Sequence, residues 1–421
     1  MMPKLRAGNL LENAEGISRR EFVARNMRYL SAVLASPLLT ACSDSGSNDS
    51  GNYTADNLRV SNLANLGPLT EADANGCRLP AGFTSRVVAR SSQPVLAGSH
   101  FNWHGSPDGG ACFEDGDGWI YVSNSEQIEN GGASSLRFNR DGEIIDAYPI
   151  LENTNQNCSG GVMPYGTWLS CEEWFHLGRV FECDPTGSKP AIERPALGIF
   201  NHEGAAYHEG SHTLYLTEDR PDGGLYRFTP SQTRADGYAD LSAGTLEIAQ
   251  VARENEPGAV SWHQIDDPAG TEIDTRLQVP ARTAFNGGEG IVCVGDLVSF
   301  ATKGDNRVWS YNVANQSIRV IYDRDTSDNP ILAGVDNITA DFAGNYLVAE
   351  DGDDMQIVIL TAEGELFPLL QLQGQDNSEI TGPAFSPDGS RLYFSSQLGT
   401  TGHPADGITY EVTGPFFTAT A

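Results

Sequence analysis

The sequence has 421 residues and carries 26 lysines and arginines against 56 aspartates and glutamates, a formal net charge of −30. This charge argues against nucleic acid as a partner, because its phosphates would be repelled. It fits a globular protein that attracts cations, since clustered carboxylates raise one another's pKa unless a cation neutralises them.

The N-terminal segment 1–42 has the order of features of an export signal. Ser18-Arg19-Arg20-Glu21-Phe22 is a twin-arginine pattern, residues 29–39 form an apolar run, and Leu39-Thr40-Ala41-Cys42 resembles a lipobox. The run is too short to span a membrane as a helix. We predict a Tat signal peptide, a lipid on Cys42 as the only membrane attachment, and a location in the periplasm or on the cell surface. The alternative is an ordinary amphipathic terminus with a chance arginine pair.

Two regions follow the predicted signal. Residues 43–75 are rich in Ser, Asn, Gly and Asp and predict a flexible tether. Residues 76–421 contain no second polar linker, and we expect them to form one monomeric domain.

That domain contains six similar strand-like segments at nearly constant spacing. They are 119–126, 167–173, 214–219, 298–302, 346–351 and 392–396. With Tyr121, Trp168, Tyr215, Ser299, Leu347 and Tyr393 as equivalents, the steps are 47, 47, 84, 48 and 46 residues. This period predicts an all-β fold, a six-bladed β-propeller.

The 84-residue step contains an insertion between Pro230 and Ala284. Within it, residues 245–251 predict an outer strand, and a concealed seventh blade is the alternative to six. We expect the early strand 84–89 to pair with the last blade and close the ring, because closure removes exposed sheet edges.

Acidic residues at the strand ends predict a metal site in the central channel. Cys171, Glu172, Glu218 and Glu350 end equivalent strands and should face one another there. A second set, Asn201-His202-Glu203, Gly287-Gly288-Glu289 and Val335-Asp336-Asn337, precedes the strand landmarks by ten to twelve residues. Because a strand, a turn and a returning strand fill that interval, Glu203 is expected beside Glu218. The glycines after Glu203 and Glu289 leave room for an ion near the backbone.

Six cysteines remain after Cys42, which permits three disulfides in fifteen pairings in an oxidising compartment. A disulfide from Cys171 to Cys158 or Cys183 is the alternative to a metal-bound Cys171 thiolate.

Several motifs together resemble the PhoX-type alkaline phosphatases. They are 166–173 (Gly-Thr-Trp-Leu-Ser-Cys-Glu-Glu), Asn201-His202-Glu203, 216–223 (Leu-Thr-Glu-Asp-Arg-Pro-Asp-Gly) and 382–389 (Gly-Pro-Ala-Phe-Ser-Pro-Asp-Gly). The resemblance runs in order from about Asn102 to the end of the chain. It implies a Tat-exported six-bladed propeller that hydrolyses small phosphomonoesters with iron and calcium in its channel.

The resemblance also implies roles for individual residues. Cys171 would ligate iron, and the other implied ligands or their partners are Glu203, Glu218, Glu289, Glu350, Glu172, Glu173, Asp219 and Asp351. Iron accepts thiolate and carboxylate together, while calcium prefers oxygen. Arg220 would clamp a phosphate oxygen or form a salt bridge within the acidic ring. His202 would transfer a proton or serve the structure alone.

The sequence departs from the family pattern at several of these positions. Asn124-Ser125-Glu126 replaces an Asn-His-Glu element, Gly287-Gly288-Glu289 replaces Arg-Pro-Glu, residues 331–335 lack an arginine, and Thr302-Lys303 ends its strand without a carboxylate. Two other functions therefore stay open. One is a calcium-dependent lactonase or esterase, and the other is a non-catalytic, metal-stabilised propeller lipoprotein.

Overall fold

β-strands build nearly all of the regular structure in the computed structural model, which describes residues 59–252, 258–352 and 354–419. These residues belong to one unit, 52–421. The predicted signal peptide, Cys42 and the first part of the predicted tether lie outside the described residues. Within the described ranges, no helix is both long enough and apolar enough to cross a membrane.

The strands are numbered in chain order. The first seven are β1 (Arg59–Ser61), β2 (Cys77–Arg78), β3 (Thr84–Arg90), β4 (Pro107–Asp115), β5 (Gly118–Ser125), β6 (Gly131–Phe138) and β7 (Ile144–Thr154). The next nine are β8 (Asn157–Met163), β9 (Thr167–Glu172), β10 (Val180–Cys183), β11 (Ile192–Glu193), β12 (His202–His208), β13 (Thr213–Glu218), β14 (Leu225–Pro230), β15 (Gly244–Val251) and β16 (Gly258–Gln264).

The remaining strands are β17 (Gly288–Val294), β18 (Leu297–Thr302), β19 (Arg307–Asn312), β20 (Ser317–Asp323), β21 (Val335–Ala340), β22 (Tyr346–Glu350), β23 (Gln356–Leu360), β24 (Leu366–Leu372), β25 (Ile380–Phe385), β26 (Arg391–Ser396), β27 (Ile408–Thr413) and β28 (Phe417–Ala419). In the described ranges, short 3₁₀ helices span Leu63–Asn65, Pro195–Leu197, Thr275–Gln278, Lys303–Asp305 and Pro404–Asp406.

Antiparallel sheets of four or more strands form a propeller-like arrangement. Their strand orders are β4-β5-β6-β7, β11-β10-β9-β8, β12-β13-β14-β15-β16-β20-β19-β18-β17, β2-β24-β23-β22-β21 and β25-β26-β27-β3. The strands β4, β8, β12, β17, β21 and β25 contact one another in that order, and β25 contacts β4 again. The all-β propeller prediction is therefore confirmed in its architecture.

The early strand pairs with the last sheet, as predicted. β3 lies antiparallel to β27, with Thr84 opposite Thr413 and Arg90 opposite Ile408. The expected outer strand in the insertion is also present, because residues 245–251 lie within β15 at the outer side of β14. β16 then pairs with β20 and joins two neighbouring sheets.

The core lies between neighbouring sheets, because strand side chains alternate between two faces. On β22, Leu347 and Ala349 pack toward the sheet of β25–β27, whereas Tyr346 and Val348 pack toward the side chains of β19 and β20. The strands β8 and β12 of neighbouring sheets approach each other closely at Gly161. A Cβ atom there would lie 2.1 Å from the carbonyl oxygen of Ala205, so the position requires glycine.

The described part of the predicted tether is packed on the propeller. β1 pairs with β28, and Leu63 is fully buried in the core cluster that contains Leu370 and Phe394. Ser61 Oγ donates a hydrogen bond to Asp341 at 2.5 Å. Composition alone predicts flexibility here, but the apolar Leu63 supplies a buried anchor.

Candidate metal centre

A β-bulge interrupts each of the six strands that meet around the ring. The register with the following strand shifts after Pro107, Asn157, His202, Gly288, Val335 and Thr381. An extra residue in one strand locally redirects its side chain. The residues that directly follow these positions are Asp108, Cys158, Glu203, Glu289, Asp336 and, in the last sheet, Gly382. We call the first five the bulge set.

A second group of side chains comes from the ends of the partner strands. Each directly follows the residue that pairs with the first strand just before its bulge. The backbone N–H of each donates to the carbonyl oxygen of the residue immediately before that first strand. The members are Glu126, Glu173, Asp219, Lys303 and Asp351, and we call them the strand-end set. The last sheet has Ser396 at this position, and Glu379 before β25 supplies its carboxylate.

The two sets interleave into one continuous cluster. Ligand atoms lie within 4.8 Å of one another in each of four overlapping groups: Asp108, Glu126 and Cys158; Cys158, Glu173 and Glu203; Glu203, Glu289 and Asp336; Asp336, Asp351 and Glu379. Each group shares a residue with the next. The arrangement therefore brings a thiol and eight carboxyl groups into one connected array.

Burial and mutual repulsion disfavour the charged forms of these carboxyls. Burial, reinforced by Glu289 and Asp336, raises the pKa of Glu203 well above its usual range. Burial, with Asp336 as the next cause, raises the pKa of Glu289 in the same way. Burial followed by Glu126 raises the pKa of Asp108 well above its ordinary value. Such a cluster requires positive charge if its carboxylates are to be ionised at neutral pH.

Amide side chains fix the carboxylates in place. Gln397 Nε2 donates to Asp108 Oδ2 and to Glu126 Oε2, both at 2.7 Å. Asn201 Nδ2 donates to Glu173 Oε1 at 3.1 Å. Asn337 Nδ2 donates to Asp336 Oδ1 at 2.7 Å. These bonds orient the carboxylates and leave other oxygens for a cation.

Lys303 brings a positive charge into the cluster. Its Nζ lies 3.0 Å from Glu289 Oε1, 3.3 Å from Asp351 Oδ2 and 3.4 Å from Asp336 Oδ2. Burial alone would lower the pKa of Lys303, but Asp336, Glu289 and Asp351 together raise it well above its ordinary value. Among the salt bridges of the described residues, those of Lys303 are the ones that join a basic side chain to carboxylates of the cluster.

Glu203 is the clearest sign that the cluster receives a cation. Its side chain is fully buried, and neither carboxylate oxygen has a hydrogen-bond partner among the described residues. An ionised carboxylate so buried is costly unless it is paired or bound to a metal. A buried thiol beside such carboxylates suits a transition metal, whereas the all-oxygen groups suit calcium. The donor set therefore fits bound metal ions.

Three predicted ligands point away from the cluster and hold loops instead. Glu172 accepts hydrogen bonds from the backbone N–H groups of Asn155 and Arg179. Glu218 accepts from Gly224 N–H and Tyr226 O–H. Glu350 accepts from the backbone N–H groups of Ala333 and Gln356. The geometry thus gives these three glutamates structural partners.

Cys171, the predicted iron ligand, is also directed elsewhere. It is buried in an apolar cluster with Met163, Leu169 and Val180. Burial raises the pKa of its thiol, which opposes a thiolate there. Cys158, at the bulge of β8, lies in the cluster instead. Cys171 lies within β9 on the same face as Leu169 and packs between sheets. The six described cysteines are free thiols, so Cys171 has no disulfide to Cys158 or Cys183.

The two predicted catalytic residues lie in different surroundings. His202 is buried, stacks on Phe200 with 3.6 Å between ring centroids, and its Nε2 lies 3.0 Å from the carbonyl oxygen of Gly198. Burial lowers the pKa of His202 to about 3, so it is neutral at physiological pH and outside the acidic cluster. Arg220 directly follows Asp219, and its guanidinium lies over the ring of Phe175 at 5.3 Å.

Comparison with known proteins identifies the family. The model of the family described as alkaline phosphatase PhoX matches residues 130–294 and 297–399, more than half of the chain. The chain belongs to the PhoX alkaline phosphatase family. It is accordingly a phosphoric monoester hydrolase by family. The resemblance seen in the sequence motifs is thereby confirmed.

A solved structure of a PhoX protein has the same fold as this chain. PhoX of Pseudomonas fluorescens, determined in complex with the transition state analogue vanadate, has a TM-score of 0.68 and 17% sequence identity. The match covers 83% of this chain and 97% of that one. A gluconolactonase of Xanthomonas campestris matches with a TM-score of 0.45 and 14% identity, covering 85% of this chain and 100% of that one. No curated protein has a significant sequence match to the chain.

Sequence reasoning identified part of this acidic cluster. The cluster contains the predicted Glu173, Glu203, Glu289 and Asp351, and Asp219 belongs to the same strand-end set. Asp336 stood in the recurring second set and Glu126 ended a repeat segment, but neither was assigned as a ligand, and Asp108, Cys158 and Glu379 were not singled out for the cluster. The spacing could have found Cys158, because it precedes Trp168 by ten residues, as Glu289 precedes Ser299.

Proposed function

We propose that the protein is an exported phosphomonoesterase whose channel holds both iron and calcium. The observation that carries this proposal is the group formed by Cys158, Glu173 and Glu203, whose ligand atoms lie within 4.8 Å of one another. A thiol at a bulge, next to a carboxylate without protein partners, combines soft and hard donors. Transition metals accept that combination, and calcium rarely does.

The donor chemistry suggests how the ligands are divided. Cys158, Glu173, Glu203 and Glu289 would hold iron, and the carboxylates at either side of them would hold calcium. These carboxylates are Asp108 and Glu126 on one side and, beside Lys303, Asp336, Asp351 and Glu379 on the other. Asp219 would add a carboxylate from the strand-end set. Bound cations of this kind stabilise charge on a phosphoryl group and activate an attacking oxygen.

Charge supports a role for these ions in substrate binding. The cluster contains eight carboxyl groups and a single lysine among its described ion pairs. A small phosphorylated substrate is itself anionic, so without further cations the cluster would repel it. Arg220 follows Asp219 at the same strand end, and its Nε is buried without a partner among the described residues. We assign Arg220 to binding of a phosphate oxygen, through hydrogen bonds to a charged acceptor.

We also propose six blades and export of a monomer by the Tat route. Six first strands contact one another in a closed order, and each carries its bulge at the equivalent place. The nine-stranded sheet would then comprise two blades joined through β16. The twin arginines and Cys42 support export and lipid attachment. Tat export carries folded proteins, which suits a protein that acquires its metals first.

Two cysteine substitutions test the iron assignment. We expect Cys158→Ser to lose iron and at least about tenfold of phosphatase activity, because the hydroxyl is a poor ligand for iron. Cys171→Ser should retain both and lose about 1–2 kcal/mol of unfolding free energy, because it buries a hydroxyl in an apolar cluster. Elemental analysis, hydrolysis of p-nitrophenyl phosphate and urea unfolding measure these three quantities.

A Cys158→Ser protein with the iron content and turnover of the wild type would contradict the assignment. Loss of iron in Cys171→Ser, with retention in Cys158→Ser, would restore the ligand that the sequence predicted. A folded wild-type protein that contains iron and calcium but hydrolyses no phosphomonoester would contradict the proposed activity alone.

A further inference from the structure

Lys303 occupies a position with the surroundings of a metal ion. Its Nζ lies 3.0–3.4 Å from oxygens of Glu289, Asp336 and Asp351. These carboxylates come from β17, from β21 and from the end of β22, so three separate segments converge on one ammonium group. A lysine ammonium is a compact point charge with donors that can turn toward several acceptors. It can therefore compensate converging carboxylates much as a metal ion would.

The equivalent position carries the opposite charge after four other strands. Glu126, Glu173, Asp219 and Asp351 each follow the second strand of a sheet, as Lys303 follows β18. Three of these four carboxylates, those of Glu126, Glu173 and Asp351, contribute to groups that could hold a metal. Lys303 therefore both removes a ligand and adds a positive charge beside the remaining ones.

Lysine is also rare in this chain. The sequence contains lysine at positions 4, 189 and 303 only, whereas the other 23 of its 26 basic residues are arginines. Most of the ion pairs described for this protein accordingly use arginine, and Arg276 contacts three carboxylates by using two of its nitrogens. The ion pairs of Lys303 differ because three carboxylates share one nitrogen.

We propose that the ammonium group of Lys303 is a built-in cation that replaces one divalent ion of the metal centre. The inference rests on the proposed function, since it assumes that the rest of the cluster binds metal. It implies that the chain binds one divalent ion fewer than a centre with a carboxylate at this position. Replacing Lys303 with glutamate should restore the fourth carboxylate and create a further calcium site.

Metal stoichiometry tests this proposal without recourse to activity. We would express the full chain as wild type, Lys303→Glu, Lys303→Met and Lys189→Glu, remove loosely bound metal, and titrate with calcium in a calorimeter. Lys303→Glu should bind one calcium ion more per chain than the wild type. Lys303→Met should also gain this ion, with lower affinity, because only three carboxylates remain. Lys189→Glu, an exposed position with the same charge change, should keep the wild-type number.

The folding of the Lys303 variants also tests the proposal. Variants that fold only when millimolar calcium is present would support the proposal, since calcium would then replace the missing ammonium group. Variants of Lys303 that are loaded like the wild type, or that calcium does not restore to the folded state, would overturn it alone. A wild-type chain that binds no divalent ion would overturn both this inference and the proposed function.

Discussion

Adjacent acidic residues at the strand ends have different roles. In the pairs Glu172 and Glu173, Glu218 and Asp219, and Glu350 and Asp351, the first glutamate accepts backbone N–H groups of nearby loops. The second residue belongs to the strand-end set. Successive side chains on a strand point to opposite sides, so neighbouring carboxylates can serve the fold and the metal centre separately.

Substituting one such pair should separate stability from metal binding. Glu173→Gln should lower metal content and activity by about tenfold or more, because a neutral amide is a weaker ligand for iron and calcium. Glu172→Gln should keep the metals but lose about 1–3 kcal/mol of unfolding free energy, because buried N–H groups lose a charged acceptor. Elemental analysis and urea unfolding distinguish the two variants. A Glu172→Gln protein that is as stable as the wild type but poor in metal would contradict these roles.

The same alternation explains which site residues the sequence could predict. Glu203 and Glu289 were found because each precedes a glycine at a recurring distance from a strand. Cys171 was chosen over Cys158 because it stands at a strand end beside two glutamates. Which side of the sheet a residue faces depends on the register of pairing, and a shift of one residue reverses it. Sequence spacing therefore located the strand ends but could not choose between neighbours.

At the level of elements, the strands were predicted better than the bulges. The 47-residue spacing located the second strand of each sheet, and the early strand was expected to close the ring. A bulge adds one unpaired residue, and its sequence signal is no stronger than a glycine nearby. None of the bulges was therefore predicted, and Asp108 and Cys158, which directly follow two of them, were not placed in the metal site.

Because β3 closes the ring, we predict that a charged side chain on its buried face strongly lowers the free energy of unfolding. Val88 is 8% exposed and packs with Trp103, Tyr121 and Tyr393. Val88→Asp should cost at least about 3 kcal/mol of unfolding free energy, because a charge would be buried without a partner. Thr84→Asp places the same side chain at an exposed position of β3 and should cost less than about 1 kcal/mol. Equal losses in chemical denaturation would contradict a closing role for the buried face.

At the level of the whole molecule, the acidic cluster should lower the stability of the fold when metal ions are absent and provide their ligands when they are present. The cluster gathers eight carboxyl groups around a channel whose strands come from all parts of the chain. In the absence of metal, repulsion there would act on every sheet at once. Bound cations would turn the same residues into cross-links between sheets.

The pH dependence of stability should therefore reverse on metal removal. Burial and neighbouring carboxylates raise the folded-state pKa values of Asp108, Glu203 and Glu289 above the unfolded value of about 4. Between the unfolded and folded values the native state binds more protons, so stability falls as pH rises. Chelated protein should show a rising melting temperature from about pH 8 to about pH 5.

The metal-loaded protein is the control for this prediction. Its carboxylates are compensated by cations, and protons compete with those cations, so its melting temperature should fall over the same interval. Thermal melts at several pH values, with chelator or with excess calcium, measure both trends. Parallel curves with and without chelator would contradict a cation requirement of the cluster.

The pairing of β3 with β27 also sets the order of events during synthesis. Thr84 and Thr413 lie 329 positions apart, and contacts between such distant residues form slowly. While the ribosome is still making the last sheet, β3 has no partner and the ring stays open. The unpaired β3 is therefore exposed to aggregation with other chains for nearly the whole of translation. The closed fold can therefore form, and be recognised as folded, only after the last sheet has been synthesised.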